Sequence, residues 1–186
     1  MEEIQRVEKR ELKAEKKKGI SVKDVILIGV LLAAGAVLKY FVGSIINIGG
    51  VKPNFVIAMY CLGILIIRPN LYEAAAIGIL AGAICQFFPG TPYLNFISEL
   101  AGAVVMCLMI RITMKINSLD LNPAVSTFVS TVVSGTVFVS CLFITLRAES
   151  SALVAYIPIV LGTAMINTII VQGLYIPLKM ALNRSS

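Results

Sequence analysis

VILIGVLLAAGAVLKYFVG, residues 25–43, holds a single charge, Lys39, in 19 positions. Coiled as an α-helix at ~1.5 Å per residue, a run of this length crosses the ~30 Å hydrocarbon core of a bilayer. Reading outward from it, five more apolar stretches occupy 55–67, 72–88, 96–114, 124–146 and 153–178. Turn-forming residues separate them, among them Gly49-Gly50-Val51-Lys52-Pro53-Asn54, Arg68-Pro69-Asn70 and Pro89-Gly90-Thr91-Pro92. The pattern predicts an all-α integral membrane protein, six transmembrane helices in one compact bundle. A charged tail, 1–24, precedes the membrane domain, 25–180, and a short tail, 181–186, follows it.

Charge placement predicts the orientation. With the N-terminus in the cytoplasm, 13 of the 16 Lys and Arg fall on the cytoplasmic side: Arg6, Lys9, Arg10, Lys13, Lys16, Lys17, Lys18, Lys23, Arg68, Arg111, Lys115, Lys179 and Arg184. Lys39, Lys52 and Arg147 are the exceptions. Basic loops stay inside, so both termini are expected in the cytoplasm of a multi-pass plasma-membrane protein. The three exceptions then lie where a solute arriving from outside is first met.

A hydrophobic share of 58% and a mean hydropathy of +0.92 exclude an ordinary soluble domain. The pI near 9.3 does not imply nucleic acid. Half of the basic residues crowd into the first 23 positions among Glu2, Glu3, Glu8, Glu11 and Glu15, as Glu2–Arg6 and Glu15–Lys18 helix pairs would. That mixture suits a helix lying against anionic membrane lipid. The tail is too long and acidic for a signal peptide, so the first span is read as retained.

Cys61, Cys85, Cys107 and Cys141 sit singly in four spans, and the chain has no His, which argues against a metal or redox centre and suits packing. No nucleophile elbow, paired carboxylate or phosphate loop is present, so neither catalysis nor a cofactor is expected. Small residues recur every fourth position at Gly29 and Ala33 with Ala36 alongside, at Ala74, Gly78 and Gly82, and at Ser126, Ser130 and Ser134. Such stripes let helix backbones approach closely in lipid. The second and third suit packing within the bundle; the first equally suits docking onto a separate membrane subunit.

Lys39, Lys52 and Glu99 lie in or beside the outer halves of spans, where a charge without a use tends to be avoided. Lys39 and Lys52 have stems long enough to snorkel to the headgroups. Glu99 is shorter and stands about a turn into its span, which favours a cavity or a basic partner. Nine of the 14 aromatics, including Phe88 and Tyr93, map to the outer side. With Asn54, Gln86 and Asn95 nearby, they make an apolar pocket with a few directional polar groups, the usual form of a small-molecule site. Arg147 and Lys52 offer donors for a carboxylate and Glu99 an acceptor for an amine.

The charged tail, the small-residue stripe on the first span, six spans in under 200 residues and the missing ATPase motif together resemble the substrate-binding S components of energy-coupling-factor (ECF) vitamin transporters. Three blocks sharpen the resemblance: Gly50-Val51-Lys52-Pro53-Asn54 through Gly63-Ile64-Leu65, Gly78-Ile79-Leu80-Ala81-Gly82, and Phe88-Pro89-Gly90 to Asn95. Together they look like the tryptophan transporter family, which is grouped with S components. The resemblance implies capture of a small organic solute from outside, with tryptophan or a related aromatic amino acid or vitamin-like heterocycle as the cargo. It also implies a transmembrane coupling subunit, meeting Gly29, Ala33 and Ala36, and two cytoplasmic ATPase subunits. A stand-alone ion-coupled secondary transporter and a non-transporting membrane sensor or scaffold are the alternatives.

Overall fold

The computed structural model describes residues 19–45, 53–88, 93–112, 114–116, 119–146 and 150–182. Six helices account for most of them: α1 (Val22–Ile45), α2 (Phe55–Ile67), α3 (Leu71–Cys85), α4 (Leu94–Met109), α5 (Asn122–Leu146) and α6 (Ser150–Ala181). Between α4 and α5 the chain makes a two-residue antiparallel ladder, β1 (Lys115–Ile116) with β2 (Leu119–Asp120). The second helix begins and ends where its apolar run does. The fourth stops at Met109, short of the expected 114, because the chain turns over 110–112 toward the ladder. The sixth reaches beyond both expected ends and takes Pro158 and Pro177 into its length.

Local chemistry sets the boundaries. Asn54 caps α2 by accepting a hydrogen bond from the Val56 amide at 3.3 Å. Pro69 disfavours helical backbone in the residue before it, and Arg68 closes α2 in the left-handed conformation at φ 53°. Asn70 and Glu73 form a capping box that starts α3.

α2 is the axis of the bundle. All of its 13 residues are buried, and it touches each of the five other helices. Around it α1 packs on α3, α3 on α4, α4 on α5 and α5 on α6. The small-residue stripe of α3 makes the closest approach. A Cβ at Gly78 would stand 2.8 Å from Leu100 Cα, and one at Gly82 2.8 Å from Phe96 Cα, so any side chain there separates α3 from α4.

Helix length divides the bundle. Val22–Gly43, Asn122–Thr145 and Tyr156–Ala181 are long and apolar enough to cross a membrane by length and composition. α2, α3 and α4, at 13, 15 and 16 residues, reach only about 20–24 Å. Their far ends therefore lie part-way along the long helices, Glu99 beside Ser134 of α5 and Asn54 beside Asn167 of α6.

Candidate functional site

The cluster at that depth is built on the N-cap of α2. Asn54 Nδ2 donates to Glu99 Oε1 at 2.5 Å, joining α2 to α4. Ser134 Oγ of α5 donates to Glu99 Oε2 at 3.4 Å. Asn167 Nδ2 of α6 donates to the Asn54 carbonyl at 3.1 Å. Lys39 Nζ of α1 lies 3.2 Å from Cys85 Sγ of α3 and 5.1 Å above the Phe88 ring. Cys85 Sγ is 3.8 Å from the Asn54 amide. All six helices thus contribute a polar group or a cap to one spot.

Depth follows from the register. Ser134 stands midway along α5, twelve residues from either end, and Asn167 sits near the middle of α6. At ~1.5 Å per residue the cluster is roughly 18–25 Å from the end of the bundle that carries Arg68, Asp120 and Ala181.

Electrostatically, the cluster holds one acid and one cation. Glu99 is 1% exposed, and removing a carboxylate this far from water is costly unless charge or hydrogen bonds compensate. Asn54, Ser134 and the field of Lys39 offset part of that cost here. The Tyr60 hydroxyl lies beside Glu99, Ser130 and Ser134 without meeting hydrogen-bond geometry with any described residue. Asn167 Oδ1 is likewise buried and unpartnered among the described residues. The cluster thus brings together an acid, a cation over an aromatic ring and a spare amide oxygen. Among the described residues no group of His, Cys, Asp and Glu is arranged to hold a metal ion.

Of the residues expected from sequence, Asn54, Glu99 and Phe88 meet here. Gln86 and Tyr93 do not. Gln86 Oε1 accepts from the Tyr93 amide at 3.2 Å and its Nε2 donates to the Gly82 carbonyl at 3.0 Å, so the pair ties the end of α3 to the start of α4. Tyr93 is exposed. Asn95 is half-buried beside them, its carbonyl accepting from Ser98 Oγ. Lys52 and Arg147 lie outside the described residues. Lys39 turns inward onto Cys85 and Phe88 instead of reaching for headgroups.

Asn167 and Cys85 belong to the cluster without having been singled out for it. Asn167 is one amide in the long apolar run of α6, and its only sequence signal is that isolation. Ser134 was legible as part of a small stripe, and Gly102 O accepting from Ser130 Oγ at 2.8 Å supports that packing role. Its bond to Glu99 is additional.

The expected docking stripe faces away from the bundle. Gly29 and Ala33 are exposed and Ala36 is half-buried, and a Cβ at Gly29 would meet nothing within 4 Å. Gly35 carries the inward contact, where a Cβ would stand 3.0 Å from Val56 Cα.

Compared with known proteins, the chain matches the family described as Tryptophan transporter TrpP over residues 21–183. No curated protein and no solved structure matches it.

Proposed function

The chain belongs to the Tryptophan transporter TrpP family, and from that premise we propose that it is the membrane-embedded substrate-capture subunit of an ECF-type uptake system. Its cargo is tryptophan or a related aromatic amino acid. The six-helix bundle sits across the plasma membrane, with both termini in the cytoplasm. The polar cluster on the α2 N-cap is the capture site. Glu99 accepts the solute's ammonium group, Lys39 attracts its carboxylate, and Phe88 supplies a ring face for the indole. Lys52 and Arg147 add cations along the approach. The chain carries no ATPase motif, so energy comes from two cytoplasmic ATPases through a coupling subunit that docks on Gly29, Ala33 and Ala36. It performs no covalent chemistry.

The buried Glu99–Asn54 pair carries this reading, because a carboxylate sequestered inside a membrane protein is expensive and such residues mark solute and ion paths. The chain contains no Trp, so tryptophan added to the purified protein is the only indole present. A saturable rise in its fluorescence is expected as the ring leaves water. The absence of any saturable change removes the capture reading. Full uptake in cells lacking every coupling subunit favours an ion-coupled secondary transporter, and binding without uptake in any background favours a sensor.

A further inference from the structure

α5 carries more hydroxyls than packing uses. Asn122, Ser126, Ser130 and Ser134 recur every fourth residue and are buried, with Thr127 and Thr131 beside them. Each of the first four makes a bond of its own, and only Ser126 and Asn122 bond to each other. Asn122 N donates to Asp120 Oδ1 at 3.0 Å, Ser126 Oγ to Asn122 Oδ1 at 2.7 Å, Ser130 Oγ to Gly102 O and Ser134 Oγ to Glu99. The row thus begins at Asp120, which is exposed, and ends at the most deeply buried acid among the described residues.

Three oxygens along the row stand without a partner among the described residues: Thr127 Oγ1, Thr131 Oγ1 and Tyr60 Oη. Each belongs to a side chain at most 1% exposed. Threonines in membrane helices can satisfy themselves by bonding back to the carbonyl four residues earlier. Thr145 and Thr163 do so at 2.7 Å each, onto Cys141 O and Ile159 O. Thr127 and Thr131 do not. Tyr60 Oη occupies the notch left by Gly102, where a Cβ would collide with it and stand 2.9 Å from Ser134 Cβ. Cys61 Sγ approaches Ser130 Oγ at 3.5 Å and lies beside Thr127, linking the levels. Buried oxygens with spare hydrogen-bonding capacity are where proteins place internal water.

We infer that Asp120, Ser126, Thr127, Ser130, Thr131, Tyr60 and Ser134 form a hydrated hydroxyl file that carries protons between the Asp120 end of the bundle and Glu99. Each hydroxyl can both accept and donate, and water held beside Thr127, Thr131 and Tyr60 bridges the levels that the protein's own bonds leave unlinked, so a proton entering at one end is passed by exchange along hydroxyls and water and the Glu99 carboxylate becomes a carboxylic acid. No bond other than O–H forms or breaks. Glu99 is faced by Lys39 from α1, Tyr60 and Cys61 from α2 and Cys85 from α3, while α5 and α6 bring the uncharged Ser134 and Asn167 to the cluster. Protonation leaves Lys39 as the cluster's uncompensated charge and weakens its hold on any cationic group. The inference stands whatever the solute is.

The test uses the full chain in lipid nanodiscs, a light-triggered proton release and time-resolved infrared detection of the protonated carboxyl band that Glu99→Gln abolishes. The double variant Thr127→Val/Thr131→Val keeps shape and removes the two free hydroxyls. Protonation of Glu99 is expected to slow by about tenfold or more, as for the loss of hydrogen-bonded relay groups, with the equilibrium titration of the band unchanged. An unchanged rate overturns the inference, because protons then arrive from the Lys39 side. A slower rate with a matching displacement of the titration also overturns it, because the hydroxyls then tune Glu99 without delivering protons to it. If the double variant does not fold, Tyr60→Phe decides alone, since it deletes one unpartnered oxygen and is expected to slow the band.

Discussion

Glu99→Gln separates a binding acid from a structural one. The amide side chain is the same size as the carboxylate and keeps both internal contacts. Its oxygen still accepts from Asn54 Nδ2, and its nitrogen faces the Ser134 hydroxyl, which accepts a hydrogen bond as readily as it donates one. The fold therefore survives the change. What disappears is the charge presented to an ammonium group. A hydrogen bond to a charged partner contributes about 1.5–3 kcal/mol and a neutral one about 0.5–1.5, so the loss is about 1.4 kcal/mol, or tenfold in Kd. Tryptophan fluorescence titrated against the Trp-free chain reads this directly. A des-amino analogue completes the cycle: it should bind more weakly than tryptophan to the native chain, with little further loss in the variant. Equal affinity of native and variant chains for tryptophan would refute the role given to Glu99.

Gly102→Ala pushes a methyl group into Tyr60 Oη and Ser134 Cβ, and should destabilise the chain by roughly 1–3 kcal/mol in detergent melting experiments. Adding Tyr60→Phe should recover part of that, and an unchanged Tm for Gly102→Ala contradicts the close α4–α5 contact. Gly29→Leu with Ala33→Leu should leave folding and tryptophan binding as they are, because nothing lies within 4 Å of a Cβ at Gly29, yet abolish uptake. Loss of binding together with uptake would assign the stripe to this bundle instead of a partner. For topology, cysteines at exposed Phe87 and Tyr93 in a chain cleared of native cysteines should react with an impermeant thiol reagent on whole cells. A cysteine at exposed Asn70 should not, and the reverse pattern inverts the bundle.

Most of the fold was legible because membrane sequence is dominated by one strong signal, the length of uncharged apolar runs. The Pro69 and Asn70 punctuation set the α2–α3 turn, and Ala74, Gly78 and Gly82 announced close packing within the bundle, which the Gly78 and Gly82 geometry directs onto α4. The end of α4 was harder. Residues 110–114 mix Ile110, Ile112 and Met114 with Arg111 and Thr113, so composition marks no sharp end, and the tertiary turn toward Asp120 and Asn122, with Asn122 Nδ2 donating to Ile112 O at 2.6 Å, sets it.

The site was legible where a residue is costly and illegible where it is cheap. Glu99 stood out because a short acidic side chain in a span has no inexpensive alternative. Lys39 was marked with it but left open, because a long stem allows both the headgroups and the interior, and only packing against Cys85 and Phe88 decides between them. Asn167 is neutral and isolated, and its meaning appears only when Asn54 is found opposite it. The 13-residue length of 55–67 was the stronger clue. A helix that ends part-way along its longer neighbours leaves its terminal amides inside the bundle, where they need a polar neighbourhood built by other helices. The N-cap of such a helix is therefore a place where a membrane protein must gather Asn, Ser and charged groups to exist at all. Asn54 at that position, and Glu99 brought to it from α4, follow from the shortness of α2 and the cost of ending it in the dark of the bundle.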